Sequence, residues 1–289
     1  MIYKTGATMD KSTGKLGSGL FYRSWSAIDQ ASAVVLISHG LGEHSGRYEH
    51  VAAAFNAAGL HVFALDHLGH GQSPGKRAFV SRFSELTDGV AELRAHIAHE
   101  HPSMPVYLVG HSLGGLIAAS TVLGAAQDYA GLLMTGPALG VPSPPPPWQV
   151  LLLRVFSAVA PGLKALELDA NAICRDPAVV KDYVADPLVH HENIPARMVV
   201  SLFDEGARVM SCAKDINLPV LLLHGAEDQL TSAAASREFV DMLGSSDKGC
   251  TVYKGMYHEL FNEPEQEEIL NTCREWITAR VKNSDPQIG

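Results

Sequence analysis

One stretch, Val106-Tyr107-Leu108-Val109-Gly110-His111-Ser112-Leu113-Gly114-Gly115, constrains this chain more than any other. Residues of strand composition run into Gly-x-Ser-x-Gly, and apolar residues in helical order follow from 116 to 123. The pattern predicts strand, sharp turn and helix, with Ser112 at the apex. A serine there must take a strained backbone conformation that lifts its hydroxyl clear of the chain. Gly110 and Gly114 leave room for strand and helix to approach each other. A helix that begins at the serine also aims its free N–H groups at any negative charge developing nearby. The competing reading is a glycine-rich turn with an idle serine; the flanking strand and helix favour a nucleophile.

Strand and helix signals alternate on both sides of this stretch. Residues Ala33–Ser38, Leu60–Leu65, 105–109, 132–135, 220–223 and 250–254 read as strands, and 47–58, 84–100, 232–243 and 264–281 as helices. Residues 2–9 and 19–25 predict two further short strands around a glycine-rich turn at 13–19. The run Val34-Val35-Leu36-Ile37 is apolar on both faces, as in a parallel strand buried between helices. Alternation at this spacing implies right-handed βαβ units and an α/β fold, with a mainly parallel eight-stranded sheet flanked by helices.

The pattern breaks near Gly136. Four prolines, Pro144 to Pro147, precede an apolar helical stretch at 148–159, and a less regular segment runs to about 213. Residues 137–213 are therefore expected to form a cap inserted over the sheet, with 1–136 and 214–289 making one catalytic domain. The stretch 148–156 is apolar nearly all round. It is either a core helix or a roof over Ser112 whose outer face meets lipid.

Composition narrows the partners. A formal net charge of -9 over 289 residues argues against nucleic acid and against a polybasic membrane anchor. Cys174, Cys212, Cys250 and Cys273 lack the paired spacing of a zinc site or redox dithiol, so free thiols are expected. The first residues lack the apolar core of a secretion signal, and no run is long enough to span a bilayer. The expectation is a cytoplasmic protein, with peripheral membrane contact through the cap left open.

A serine nucleophile needs a base and an orienting acid, in the chain order serine, acid, histidine. Of the 14 histidines, only His258 follows Asp228, and each of the two sits just past a strand. Glu227 is the rival acid; Asp204 and Asp215 fit the strand edge poorly. After the first buried strand, His39-Gly40-Leu41-Gly42-Glu43-His44 brings two glycines to the same edge. The backbone N–H groups of Leu41 and Leu113 are the expected oxyanion donors. Glu43, His44 and Arg47 are expected to brace this loop rather than react. Asp66, His67 and His70 invite a metal reading, but no further ligands at zinc spacing accompany them.

Together these stretches resemble the monoacylglycerol lipases among the serine α/β-hydrolases, from about residue 20 to 281. The resemblance is carried by His39-Gly40-Leu41-Gly42-Glu43-His44-Ser45-Gly46-Arg47-Tyr48, Asp66-His67-Leu68-Gly69-His70-Gly71-Gln72-Ser73, Gly110-His111-Ser112-Leu113-Gly114-Gly115, Asp186-Pro187-Leu188, Gly225-Ala226-Glu227-Asp228 and Tyr257-His258. It implies an α/β-hydrolase fold with a mobile apolar cap and no metal or organic cofactor. It implies Ser112, Asp228 and His258 as the triad, Leu41 and Leu113 as oxyanion donors, and Glu43 and Arg47 at the glycerol end of a lipid ester substrate. Phe261 stands where the mammalian enzyme has a histidine, and His190 where relatives carry other residues. Rival functions are a lysophospholipase, a short- or medium-chain carboxylesterase, and a receptor that binds without turnover. A dehalogenase is disfavoured because its nucleophile is usually aspartate.

Overall fold

The computed structural model describes residues 10–27 and 30–284, so the strand expected at 2–9 lies outside the described residues. Strands β1 (Asp10–Lys15) and β2 (Phe21–Ser26) pair antiparallel. The expected turn at 13–19 is thus partly strand. Gly14 opposes Tyr22, whose ring covers it so closely that a Cβ there would lie 2.6 Å from the ring. An aromatic ring has taken the place of the missing side chain, so this glycine extends a strand instead of ending one.

The chain then alternates: β3 (Ala33–Ser38), α1 (Glu49–Asn56), β4 (Leu60–Leu65), α2 (Ser84–Glu100), β5 (Val106–His111), α3 (Leu113–Ala125) and β6 (Gly131–Thr135). After an excursion it resumes with β9 (Val220–Gly225), α7 (Ala233–Met242), β10 (Lys248–Tyr253) and α8 (Gln266–Ser284). The sheet has eight strands in the order β1-β2-β4-β3-β5-β6-β9-β10, parallel from β4 to β10. Its two faces are apolar because side chains alternate along each strand. Val34, Leu36 and Leu108 pack with α2 and α3, whereas Val35, Ile37 and Val109 pack with α1 and α8. Burial on both faces explains why these strands read as unbroken apolar runs.

The excursion between β6 and β9 holds α4 (Pro147–Val159), β7 (Lys164–Leu166), α5 (Pro177–Ala185), β8 (Ile194–Pro195) and α6 (Ala196–Ser211). The segment expected to be irregular therefore contains two helices. In α6, Val199, Leu202, Phe203, Val209 and Met210 recur at helical spacing and join the core beside α3, while Asp204, Ala207 and Arg208 are exposed. The helix α4 packs on α6 and reaches the core through Leu153, but most of its apolar face is open: Trp148 and Leu151 are each 64% exposed and Val159 is 75% exposed.

Polar bonds fasten the excursion to the sheet's loops. His44 Nε2 lies 2.8 Å from Asp186 Oδ2, and the His190 N–H donates to the Gly42 carbonyl at 2.7 Å. On the other side, the Glu259 N–H donates to the Ile173 carbonyl at 2.7 Å, and Arg175 pairs with the buried Glu263. No helix among the described residues is long and apolar enough to cross a membrane.

At Gly114, α3 comes very close to the end of β3. A Cβ on Gly114 would lie 1.9 Å from the Ser38 carbonyl oxygen. Gly114→Ala is expected to lower stability by about 2–3 kcal/mol, since backbone cannot yield as a side-chain tip can; urea denaturation measures it.

Candidate active site

The C-terminal ends of the parallel strands share one rim, and four of them supply the site. At the end of β5, Ser112 has φ 53° and ψ -119°, one of three non-glycine residues with positive φ among those described. Such a conformation costs about 1–3 kcal/mol and persists only where the surroundings enforce it. The Ser112 N–H donates to the Thr135 carbonyl at 3.0 Å, and the Ser112 carbonyl accepts from the N–H groups of Gly115, Leu116 and Ala138. The side chain does not cap its own helix. Leu113 opens α3, where backbone N–H groups have no partner inside the helix.

His258 follows β10 and is buried. Its Nδ1 lies 2.7 Å from Asp228 Oδ2, so a proton on Nδ1 donates to the carboxylate and Nε2 is left to accept. Asp228 follows β9. Its Oδ1 accepts from the N–H groups of Leu230 (2.8 Å) and Thr231 (2.9 Å). Its Oδ2 also lies 2.8 Å from Thr231 Oγ1 and 3.1 Å from His224 Nε2. Burial alone would raise this carboxyl's pKa; the His258 charge and the donors around it hold it far below the usual range. Burial likewise acts to lower His258, but the Asp228 carboxylate prevails and its pKa is raised. Glu227, the rival acid, is exposed, as are Asp204 and Asp215.

Thr231 and His224 are functional candidates that the sequence reading did not single out. Thr231 had a signal: a threonine three residues after an aspartate can close a turn onto its carboxylate. His224 had a weaker one, its place four residues before Asp228. His111, whose ring centroid is 4.7 Å from that of His258, is pushed down to about 4 by burial and by its neighbour, and so stays neutral.

The loop after β3 carries Leu41. The Glu43 carboxylate accepts from the Gly40 N–H (2.6 Å), the Tyr48 hydroxyl (2.7 Å) and Arg47 (2.9 Å). Burial would raise Glu43, but Arg47 and the surrounding donors hold it at about 2. Arg47 also makes two hydrogen bonds to Glu259, at 2.6 and 2.7 Å. Asp66 accepts from Arg23, Ser45 and the Gln72 N–H, and among the described residues no group of three or more His, Cys, Asp or Glu is placed to hold a metal ion.

Ser112, His258, Leu41, Leu113 and Glu43 line one cavity of about 190 Å³, with Asp228 behind His258. Arg47 lies beside Glu43 and Glu259 without lining it. Glu259, His111 and Thr231 stand near this polar end, and the rest of the wall is mostly apolar, from Leu168, Ile173, Val199, Leu202 and Phe203 among others. The roof therefore comes from α6 and the 166–173 segment; no α4 residue lines the cavity. Chemically, the arrangement offers a hydroxyl, a histidine oriented by a carboxylate, and backbone donors at the end of a greasy pocket.

A family model described as Serine aminopeptidase, S33, matches residues 29–265. The Monoacylglycerol lipase of Mycolicibacterium smegmatis is 39% identical over 265 residues, covering 92% of this chain and 95% of that protein. The Monoglyceride lipase of Homo sapiens is 33% identical over 268 residues, covering 92% and 88%. The crystal structure of the monoacylglycerol lipase of Paleococcus ferrophilus superposes with a TM-score of 0.82 at 35% identity, covering 90% of this chain and 99% of that one.

The raised His258 predicts that, in a Ser112→Ala protein, its imidazolium persists above the ordinary histidine value of about 6.5 and loses its proton only at higher pH. Asp228→Asn is expected to move that transition to lower pH. NMR of the ring signals follows both.

Proposed function

The chain belongs to the Serine aminopeptidase, S33 family, with an α/β-hydrolase fold, and from that premise we propose that it hydrolyses monoacylglycerols to fatty acid and glycerol. The observation that carries this reading is the cavity, which is apolar along its length and polar only where Ser112, His258, Glu43 and their neighbours meet. Each methylene buried there is worth about 0.8 kcal/mol, so an acyl chain supplies binding without polar contacts. Residues 137–213 serve as the cap over a catalytic domain made of 1–136 and 214–289.

In this mechanism Ser112 Oγ attacks the ester carbonyl carbon as its proton passes to His258 Nε2. The carbonyl electron pair moves onto oxygen, held by the N–H groups of Leu41 and Leu113. Each such donor is worth about 10²–10³ in rate. Asp228 keeps the imidazole oriented and stabilises it when protonated. The intermediate collapses and expels glycerol, which takes the proton from His258. A water deprotonated by His258 then attacks the acyl-serine, and the fatty acid leaves as Ser112 regains its proton.

The exposed face of α4 carries Trp148, Leu151, Leu152, Val155 and Val159, a stripe at helical spacing. It docks the cap on the lipid aggregate that holds the substrate.

Ser112→Ala is expected to cut turnover of glycerol monoesters by about 10⁴-fold or more with the circular dichroism spectrum unchanged. The reading is tested on glycerol monoesters of varied chain length beside lysophospholipids and nitrophenyl esters. Preference for a lysophospholipid, or for the shortest simple esters, would replace it. Leu151→Ser with Val155→Ser is expected to slow hydrolysis of vesicle-borne monoacylglycerol several-fold while sparing a soluble nitrophenyl ester.

A further inference from the structure

Two carboxylates face the cavity, Glu43 and Glu259, and they share one cation that does not. Glu259 is buried and directly follows His258 in the chain. Arg47 NH1 reaches both Glu43 Oε2 (2.9 Å) and Glu259 Oε1 (2.6 Å), while NH2 reaches Glu259 Oε2 (2.7 Å). Asn262 donates to Glu259 Oε2 at 2.7 Å, and the ring of Tyr183 lies 4.8 Å from the guanidinium carbon. On the far side, Glu43 holds the Gly40 N–H, next to Leu41. One guanidinium thus joins residues 212 apart in sequence and fastens the loop of the oxyanion donors to the loop of the base.

We propose that Glu259 is a positioning residue for ester hydrolysis, setting His258 against the oxyanion loop through its two-point bond to Arg47.

The inference rests on the hydrolase reading and departs from a headgroup role for Arg47, whose NH1 and NH2 are already committed to carboxylates. Fork-to-fork pairing of this kind fixes direction as well as distance. A misplacement of about 1 Å between reacting groups can cost about 10²-fold in rate. Charge acts in the same direction, since two carboxylates against one guanidinium leave negative charge beside an imidazole that must become positive. The groups that bear on His258 are Asp228, with Thr231 and His224 around it, the neutral ring of His111, and the Glu43–Arg47–Glu259 set. Burial opposes the His258 charge, Asp228 favours it most, and Glu259 and Glu43 add to Asp228.

The test compares Glu259→Gln with the wild type on a soluble nitrophenyl butyrate, which has no glycerol, and on a monoacylglycerol. Positioning predicts that kcat falls about 10–100-fold on both esters, with KM within about threefold. The acid limb of the kcat/KM profile should also move to lower pH, because the neutral base then survives further into acid. Thermal melting checks the fold. If the variant does not fold, Arg47→Lys keeps the cation but loses the two-point bond, and the same fall in kcat is expected. Unchanged kcat on the nitrophenyl ester in a folded variant overturns the proposal, as does a rise in KM confined to the monoacylglycerol, or an unmoved acid limb. Failure of the hydrolase reading would show separately, as no Ser112-dependent turnover of either ester by the wild type.

Discussion

A serine at φ 53° is held there by the sheet around it. The Ser112 N–H is tied to β6 through the Thr135 carbonyl, and its own carbonyl receives three N–H groups from beyond the turn. Gly110 and Gly114 let strand and helix close to a distance that any Cβ would prevent. The local cost of a few kcal/mol is met by the long buried strands on either side, whose apolar faces leave β5 no alternative path. Everything at the rim is referenced to this one rigid point. The loop after β3 approaches it because β3 and β5 are parallel neighbours, and the loops after β9 and β10 lie on the same side for the same reason.

Electrostatics divides the buried polar groups into two kinds. Asp228 and Glu43 are surrounded by donors or cations and carry charge in the interior at tolerable cost. The histidines near β3 and β4 behave oppositely. Burial first, then each other's charge, lowers His67 and brings His70 down to about 3, so they sit neutral and serve as packing and hydrogen-bonding groups. His39 Nε2 accepts the His67 N–H, and His67 Nε2 meets Ser38 Oγ. A histidine count therefore says little; what sets His258 apart is a carboxylate at Nδ1 together with a place beside Ser112 in the cavity wall.

Much of the architecture was legible in the sequence because parallel strands buried on both faces leave long apolar runs, as at Val34-Val35-Leu36-Ile37. The strand bounds at Ala33–Ser38 and Leu60–Leu65 coincide in sequence and structure. The site residues were legible through chain order, since each loop follows a readable strand. What escaped was tertiary. The helix α6 was masked by the irregular residues before it and by Asp204 and Glu205 within it. The apolar stretch 148–156 suits a core helix or a roof equally well, yet as α4 it displays Trp148 and Leu151 to solvent and lies outside the cavity wall. The bridge from Arg47 to Glu259 depends on residues that no sequence spacing brings together.

The stitches between the excursion and the rim have a mechanical consequence. One end of the 173–190 segment hangs on the Glu259–Glu263 loop, the other on Gly42 and His44. A lid that lifted as one plate would drag the very loops that must stay in register for a reaction to occur. The α4 flank is held differently: it packs on α6, with Arg154 paired to Asp204 and Arg197 donating to the Ser157 carbonyl, and contributes nothing to the wall.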